Sequence, residues 1–175
     1  MGRKHPPDGC GYHVGTFGCA LRRRSSGVSG QTAPAGSDGR VLHAGCVALA
    51  GRGVLIMGAS GSGKSGMALQ LMAYGCDLVS DDRTEVRQRD GGLWACAPEA
   101  LRGKIEARGV GILAARAVPG APLCLAVDLD KSETERLPPF RTLSLLGHEL
   151  PVLHRYESTH FPAAIMQYLR GGCAA

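Results

Sequence analysis

Apolar positions in this chain gather into short runs, and most have the length of strands, not helices. Val41 to Leu49 reads as a strand, and Val54-Leu55-Ile56-Met57 is a continuous apolar run suited to a buried one. Gly51-Arg52-Gly53 turns the chain between them, so the two are expected to pair as a hairpin. Gly66 to Ala73 is built from good helix formers, and Gly75 stands where such a helix would end. Leu78-Val79-Ser80 predicts a short strand running into Asp81-Asp82. Thr84–Arg89 and Leu93–Ala97 flank Asp90-Gly91-Gly92, a second hairpin signal. Pro98 opens a loop, and a glycine-punctuated segment runs from Ile105 to Leu113. Leu123 to Leu129 is the most convincing buried strand, and Leu150–His154 is a further one. A last helix is predicted after Ser158-Thr159, with Pro162 in its first turn, where proline is tolerated. Phe161, Ile165, Tyr168 and Leu169 share one face of it, and Gly171-Gly172 stops it. Strands outnumber helices and only one unit reads as strand-helix-strand, so the expected class is α/β with a mixed sheet.

Composition sets the limits. The chain of 175 residues has room for one domain with a substantial core. Residues 1–40 are rich in Gly, Ser, Pro and Arg without periodicity, which predicts a disordered leader ahead of an ordered domain over residues 41–172. Much of the net charge of +5 lies in that leader, including Arg22-Arg23-Arg24, and reads as a solvated tail. Nucleic acid is therefore not an expected partner. No apolar run approaches the roughly 18–20 residues of a membrane helix, and no signal-peptide core is present, so no membrane role is expected. Gly2 is followed by Pro6 where a myristoylation motif takes Ser or Thr. The seven cysteines are scattered, with no C-x-x-C pair, and Cys10, His13 and Cys19 fit no common metal spacing. Reduced, core-filling thiols in a cytoplasmic protein are the expectation.

Between the second strand and the first helix lies Gly58-Ala59-Ser60-Gly61-Ser62-Gly63-Lys64-Ser65, which satisfies G-x-x-x-x-G-K-[ST] in the order strand, loop, helix. Its glycines permit close approach of backbone to ligand, and its N–H groups with the helix N-terminus suit phosphate oxygens. Lys64 is expected on the β- and γ-phosphates of a nucleoside triphosphate and Ser65 on the bridging Mg²⁺. Phosphoryl transfer also needs a carboxylate near the metal and a group that takes a proton. Two strands end in acid, one at Asp128 after Leu125-Ala126-Val127 and one at the adjacent pair Asp81-Asp82. Spacing alone leaves the two open.

Four segments in order resemble the catalytic domain of HPr kinase/phosphorylase. They are His43 ahead of the P-loop hairpin, the P-loop itself, Leu78-Val79-Ser80-Asp81-Asp82-Arg83, and Ile105-Glu106-Ala107-Arg108-Gly109-Val110-Gly111-Ile112. The last is similar to the family signature E-I-R-G-L-G-I. The resemblance covers Val41 to about Leu113, and the remainder fits the short alphaproteobacterial form. It implies a P-loop kinase of HPr-kinase-like, PEP-carboxykinase-like architecture that uses ATP and Mg²⁺ to phosphorylate a serine of the phosphocarrier protein HPr, with phosphorolysis as the reverse activity. By the same resemblance Asp81 is the base and Asp82, Glu106 and Ser65 stand at the metal. His43 and Lys64 stand at the transferring phosphate, Arg108 helps shape the site, and the protein assembles as a homo-oligomer, a hexamer in the family. Gly66 replaces the glutamate usual after G-K-S, and Val118-Pro119-Gly120-Ala121-Pro122 stands in for a basic loop of the longer form. Two other readings use the same motif: a small-molecule kinase or NTPase with Asp128 on the metal, and a nucleotide-sensing module without chemistry.

Overall fold

Two parallel contacts and a set of tight hairpins organise the chain. The structure is a computed structural model and describes residues 39–172. The expected leader up to residue 38, with Cys10, His13 and Cys19, lies outside the described residues, as does Cys173. The strand expected over Val41 to Leu49 is two strands, β1 (Gly39–Leu42) and β2 (Ala44–Leu49), broken at His43. After β3 (Arg52–Met57) come helix α1 (Lys64–Ala73) and strand β4 (Asp77–Ser80). The hairpin of β5 (Thr84–Arg89) and β6 (Gly92–Cys96) follows. A short 3-10 turn at Glu99–Leu101 leads into a hairpin of β7 (Lys104–Ala107) and β8 (Gly111–Ala114). The long strand β9 (Ala121–Ser132), the hairpin of β10 (Thr142–Leu145) and β11 (His148–Arg155), and helix α2 (Phe161–Gly171) complete the domain.

Strand β9 is the axis. It runs parallel to β3 from Gly53↔Leu123 to Met57↔Asp128, and parallel to β11 on its other edge. Strand β2 lies antiparallel to both β3 and β4, and β10 is antiparallel to β11. The first residues of β9 pair antiparallel with β6, which carries β5 and β1 beyond it. The sheet is mixed, as expected. Alternate residues of its central strands feed two cores. Val54, Ile56, Leu125 and Val127 pack with Leu71 of α1 and Ile165 and Leu169 of α2, while Leu55 and Ala126 face Val86, Leu93 and Leu150. Burial on both faces is why these strands read as unbroken apolar runs.

Three two-residue hairpin loops have both residues at positive φ: Ala50-Gly51, Asp90-Gly91 and Leu146-Gly147. That is the turn whose twist matches the flanking strands. Asp90-Gly91 falls within its expected turn, whereas the first turn lies on Ala50-Gly51 and not on Gly51-Arg52-Gly53, because Arg52 and Gly53 already pair with Leu49 and Ala48. Strand β10 and its Leu146 turn were not expected, because leucine in the left-handed region has no sequence signature. Helix α1 ends as expected at Gly75, where Gly75 N–H bonds Met72 O at 2.9 Å and Cys76 N–H bonds Leu71 O at 3.1 Å. Burial pushes the Cys46 thiol well up from its ordinary value and the Cys76 thiol to about 11. Both therefore stay protonated core residues.

The segment Val118–Pro122 is structural here. Leu78 N–H bonds Arg116 O and Val118 N–H bonds Leu78 O, covering the open edge of β4. Gly120 then passes over Trp94, where a Cβ would stand 2.5 Å from the indole nitrogen and 2.7 Å from Ala95 O. Gly120→Ala is expected to destabilise the fold by about 1–3 kcal/mol. Urea unfolding followed by fluorescence of the sole tryptophan, Trp94, reads both the stability and the disturbed contact.

Candidate active site

The loop from Gly58 to Gly63 leaves the end of β3 and delivers helix α1. Gly61 (φ 82°) and Gly63 (φ 99°) take the left-handed conformation that the loop requires. Gly63 caps α1 without a side chain, and the first turn has no acidic residue, so the positive end of the helix is left for an anion. A Cβ on Gly58 would run into Ser62 Oγ, a buried hydroxyl with no hydrogen-bond partner. Ser60, Gly61, Gly63, Lys64 and Ser65 line a cavity of about 450 Å³, within the usual range for small-molecule sites. Gly58, Ala59 and Ser62 shape the loop without lining that cavity.

Lys64 is almost fully buried, and its ammonium has three protons and three acceptors. Nζ lies 3.0 Å from Gly58 O, from Ala59 O and from His43 Nε2. An ammonium can only donate, so Nε2 accepts and the ring proton of His43 sits on Nδ1. That nitrogen lies 3.1 Å from Asp82 Oδ1. The break between β1 and β2 is what frees His43 from both strands to join Lys64 to Asp82.

The adjacent aspartates point to different places. Asp81 is 8% exposed and has both oxygens engaged. Ser65 Oγ donates to Oδ1 and Glu106 N–H donates to Oδ2, each at 2.9 Å. Asp82 takes φ 63°, and its side chain is 59% exposed. The expectation had Asp81 as the base and Asp82 in the metal shell; in the structure it is Asp81 that stands on Ser65. Asp82 and Glu106 line both the P-loop cavity and a neighbouring cavity of about 460 Å³. Arg108 and Val110, in the turn between β7 and β8, line the P-loop cavity, and Ile112 lines the second. No ion pair joins Glu106 to Arg108.

Asp128 does not reach this constellation. Its carboxylate takes Asp130 N–H at 3.0 Å and lies 3.4 Å from Lys131 Nζ. The residue that sequence reasoning missed is Asp130, whose carboxylate accepts the N–H of Ala59 inside the P-loop. The available signal was the Asp-Leu-Asp spacing, which puts both acids on one side of β9.

Comparison with known proteins bears on the family and the fold. Residues 37–128, just over half of the chain, match the family model of the HPr Serine kinase C-terminal domain. The HPr kinase/phosphorylase of Brevibacillus brevis is 48% identical over 73 residues, 41% of this chain and 24% of that protein. That of Lactococcus lactis subsp. lactis is 47% identical over 81 residues, 46% of this chain and 26% of that protein. The chain thus spans about a quarter of the length of the curated relatives it matches. The solved HPr(Ser) kinase/phosphatase from Coxiella burnetii superposes with a TM-score of 0.62 at 25% identity, covering 75% of this chain and 88% of that one.

The contact with Lys64 fixes the imidazole tautomer of His43. In nucleotide-free protein, ¹⁵N-edited NMR should show His43 protonated at Nδ1, and Lys64→Ala combined with Asp82→Ala should release the ring to a mixture of tautomers. A wild-type spectrum with the proton on Nε2 would contradict the contact.

Proposed function

We propose, because the chain belongs to the HPr serine kinase C-terminal domain family, that it transfers the γ-phosphoryl group of ATP to a serine hydroxyl of HPr. The observation that carries this reading is the pair of cavities sharing Asp82 and Glu106 as a common wall. A donor on the P-loop side and an acceptor on the other would meet across an exposed carboxylate. The β7–β8 hairpin exposes Val110 beside the P-loop cavity and Ile112 beside the second, at 76% and 75%, which suits an acceptor that is a protein surface.

The residues present fit both ATP and Mg²⁺. The P-loop offers an uncapped helix end, and Lys64 would exchange its two loop carbonyls and His43 for phosphate oxygens. Ser65 Oγ and the Asp81 carboxylate form the hard oxygen pair that suits Mg²⁺, which is commonly held by one or two carboxylates together with substrate phosphates. Among the described residues no cluster of three or more His, Cys, Asp or Glu forms a ready-made metal site, in keeping with an ion that enters with the nucleotide. Held by Ser65 and Asp81, the ion would supply positive charge that offsets the charge developing in the transfer.

We assign the carboxylates in the reverse of the expected order. Asp81 reaches the second cavity but is nearly buried, with one donor on each oxygen, and would stand with Ser65 at the metal, with Glu106 beside it. Asp82 is accessible, and His43 N–H steadies its carboxylate. It would take the serine proton as the hydroxyl oxygen bonds to the γ-phosphorus and the bond to the β-phosphate oxygen breaks. Arg108 would face the phosphates. Phosphorolysis, cytoplasmic location and assembly into homo-oligomers belong to this proposal as family properties. Among the described residues no helix is long and apolar enough to cross a membrane.

Incubation of the full chain with labelled ATP, Mg²⁺ and HPr, followed by mapping of the phosphoserine, tests the reading. Phosphate added to seryl-phosphorylated HPr tests the reverse direction. Asp82→Asn should lower transfer by about 100-fold or more while leaving nucleotide affinity within about threefold. Asp81→Asn should instead weaken Mg²⁺-dependent nucleotide binding. The opposite pair of results restores Asp81 as the base. Loss of activity in Asp128→Asn alone points to the small-molecule kinase, and ATP binding without turnover on HPr points to the sensing module.

A further inference from the structure

The P-loop is tied down from a strand that nothing in its motif specifies. Strand β9 continues past its last register partner on β3, Met57↔Asp128, and so carries Asp130 alongside the loop. The two carboxylate oxygens of Asp130 lie 2.9 and 3.0 Å from Ala59 N. The carboxylate is set from behind, because its own backbone N–H donates to Asp128 Oδ1, and Asp128 in turn pairs with Lys131. The missing Cβ of Gly58 leaves the room that Asp130 occupies: a Cβ there would stand 3.2 Å from Asp130 Oδ1.

Ala59 is held at both of its backbone groups. Its carbonyl accepts Lys64 Nζ at 3.0 Å and Ser62 N–H at 3.2 Å, and its N–H goes to Asp130. A lysine drawn onto a phosphate gives up the carbonyl. The tether to Asp130 uses the opposite side of the residue and does not depend on that bond. We propose that Asp130 is a positioning residue for the nucleotide, fixing Ala59 so that the later N–H groups of the loop keep their arrangement when Lys64 moves. The proposal rests on the nucleotide reading of the P-loop and adds a residue on β9 to it. Its carboxylate also adds negative charge beside a polyanion, which separates its two effects: asparagine keeps the acceptor and removes the charge, and alanine removes both.

The test uses the full chain with a fluorescent ATP analogue and Mg²⁺, with Lys64→Ala as the reference for a damaged P-loop. A hydrogen bond to a charged group is lost in Asp130→Ala, so Kd and KM for nucleotide should rise about tenfold with kcat changed less than about threefold. Asp130→Asn should bind within about threefold of wild type. If Asp130→Ala binds like wild type while Lys64→Ala binds weakly, the proposal fails and the nucleotide reading stands. If wild type binds no nucleotide, both fail. Should Asp130→Ala not fold, amide exchange in wild-type protein decides: Ala59 N–H should exchange at least about tenfold more slowly than Gly61 N–H. Equal rates overturn the tether.

Discussion

The carboxylate of Asp81 is the point at which three separate pieces of chain are held in one geometry. It leaves the end of β4, takes Ser65 Oγ from the first turn of α1, and takes Glu106 N–H from β7. A nearly buried carboxylate is costly unless its oxygens are satisfied, and here each has one donor. Among the described residues the β7–β8 hairpin pairs only with itself, as a sheet separate from the main one. Its place beside the P-loop therefore rests on this bond and on the packing of Ile105 into the helix-side core. The wall of the cavity made by Glu106, Ala107 and Arg108 stands where it does because Asp81 holds the strand that carries them.

A second constraint comes from the sheet. Strands β1 and β2 follow each other but belong to different limbs, one on β5 and the other between β3 and β4. His43 is the residue at which the chain changes limb. A histidine inside either strand would have its direction set by the pleat. At the break it instead reaches Lys64 with one nitrogen and Asp82 with the other, making a continuous path of hydrogen bonds from the P-loop lysine to an exposed carboxylate.

Those constraints mark what could be read from the sequence. The P-loop, the run into Asp81-Asp82 and the Glu106 segment were legible because each is local: a few adjacent residues whose order carries the chemistry. The mixed sheet was legible from the count and length of apolar runs, and α2 from its Phe161, Ile165 and Leu169 stripe. The break at His43 was not, since Val41 to Leu49 has the same apolar character on both sides and only the pairing partners differ. Asp130 escaped for a related reason. Its contact with Ala59 spans 71 residues and arises from how far β9 overruns β3, a property of register and not of composition.

The separate fates of Asp81 and Asp82 follow from one backbone angle. Neighbouring residues in a strand point to opposite faces, but at the end of β4 there is no strand left to set that rule. Asp82 sits at φ 63°, and Arg83 N–H closes back on Asp81 O at 2.7 Å, so the chain reverses within three residues. The reversal leaves Asp81 inside on Ser65 and puts Asp82 outside on His43. Left-handed backbone is tolerated by Asp, Asn and Gly far better than by residues with a larger or branched Cβ environment. The position thus favours a small polar residue for conformational reasons before any chemistry is considered. An aspartate there meets the backbone requirement and at the same time presents a carboxylate to the boundary between the two cavities. One turn thereby turns two identical side chains into a buried anchor and an exposed carboxylate.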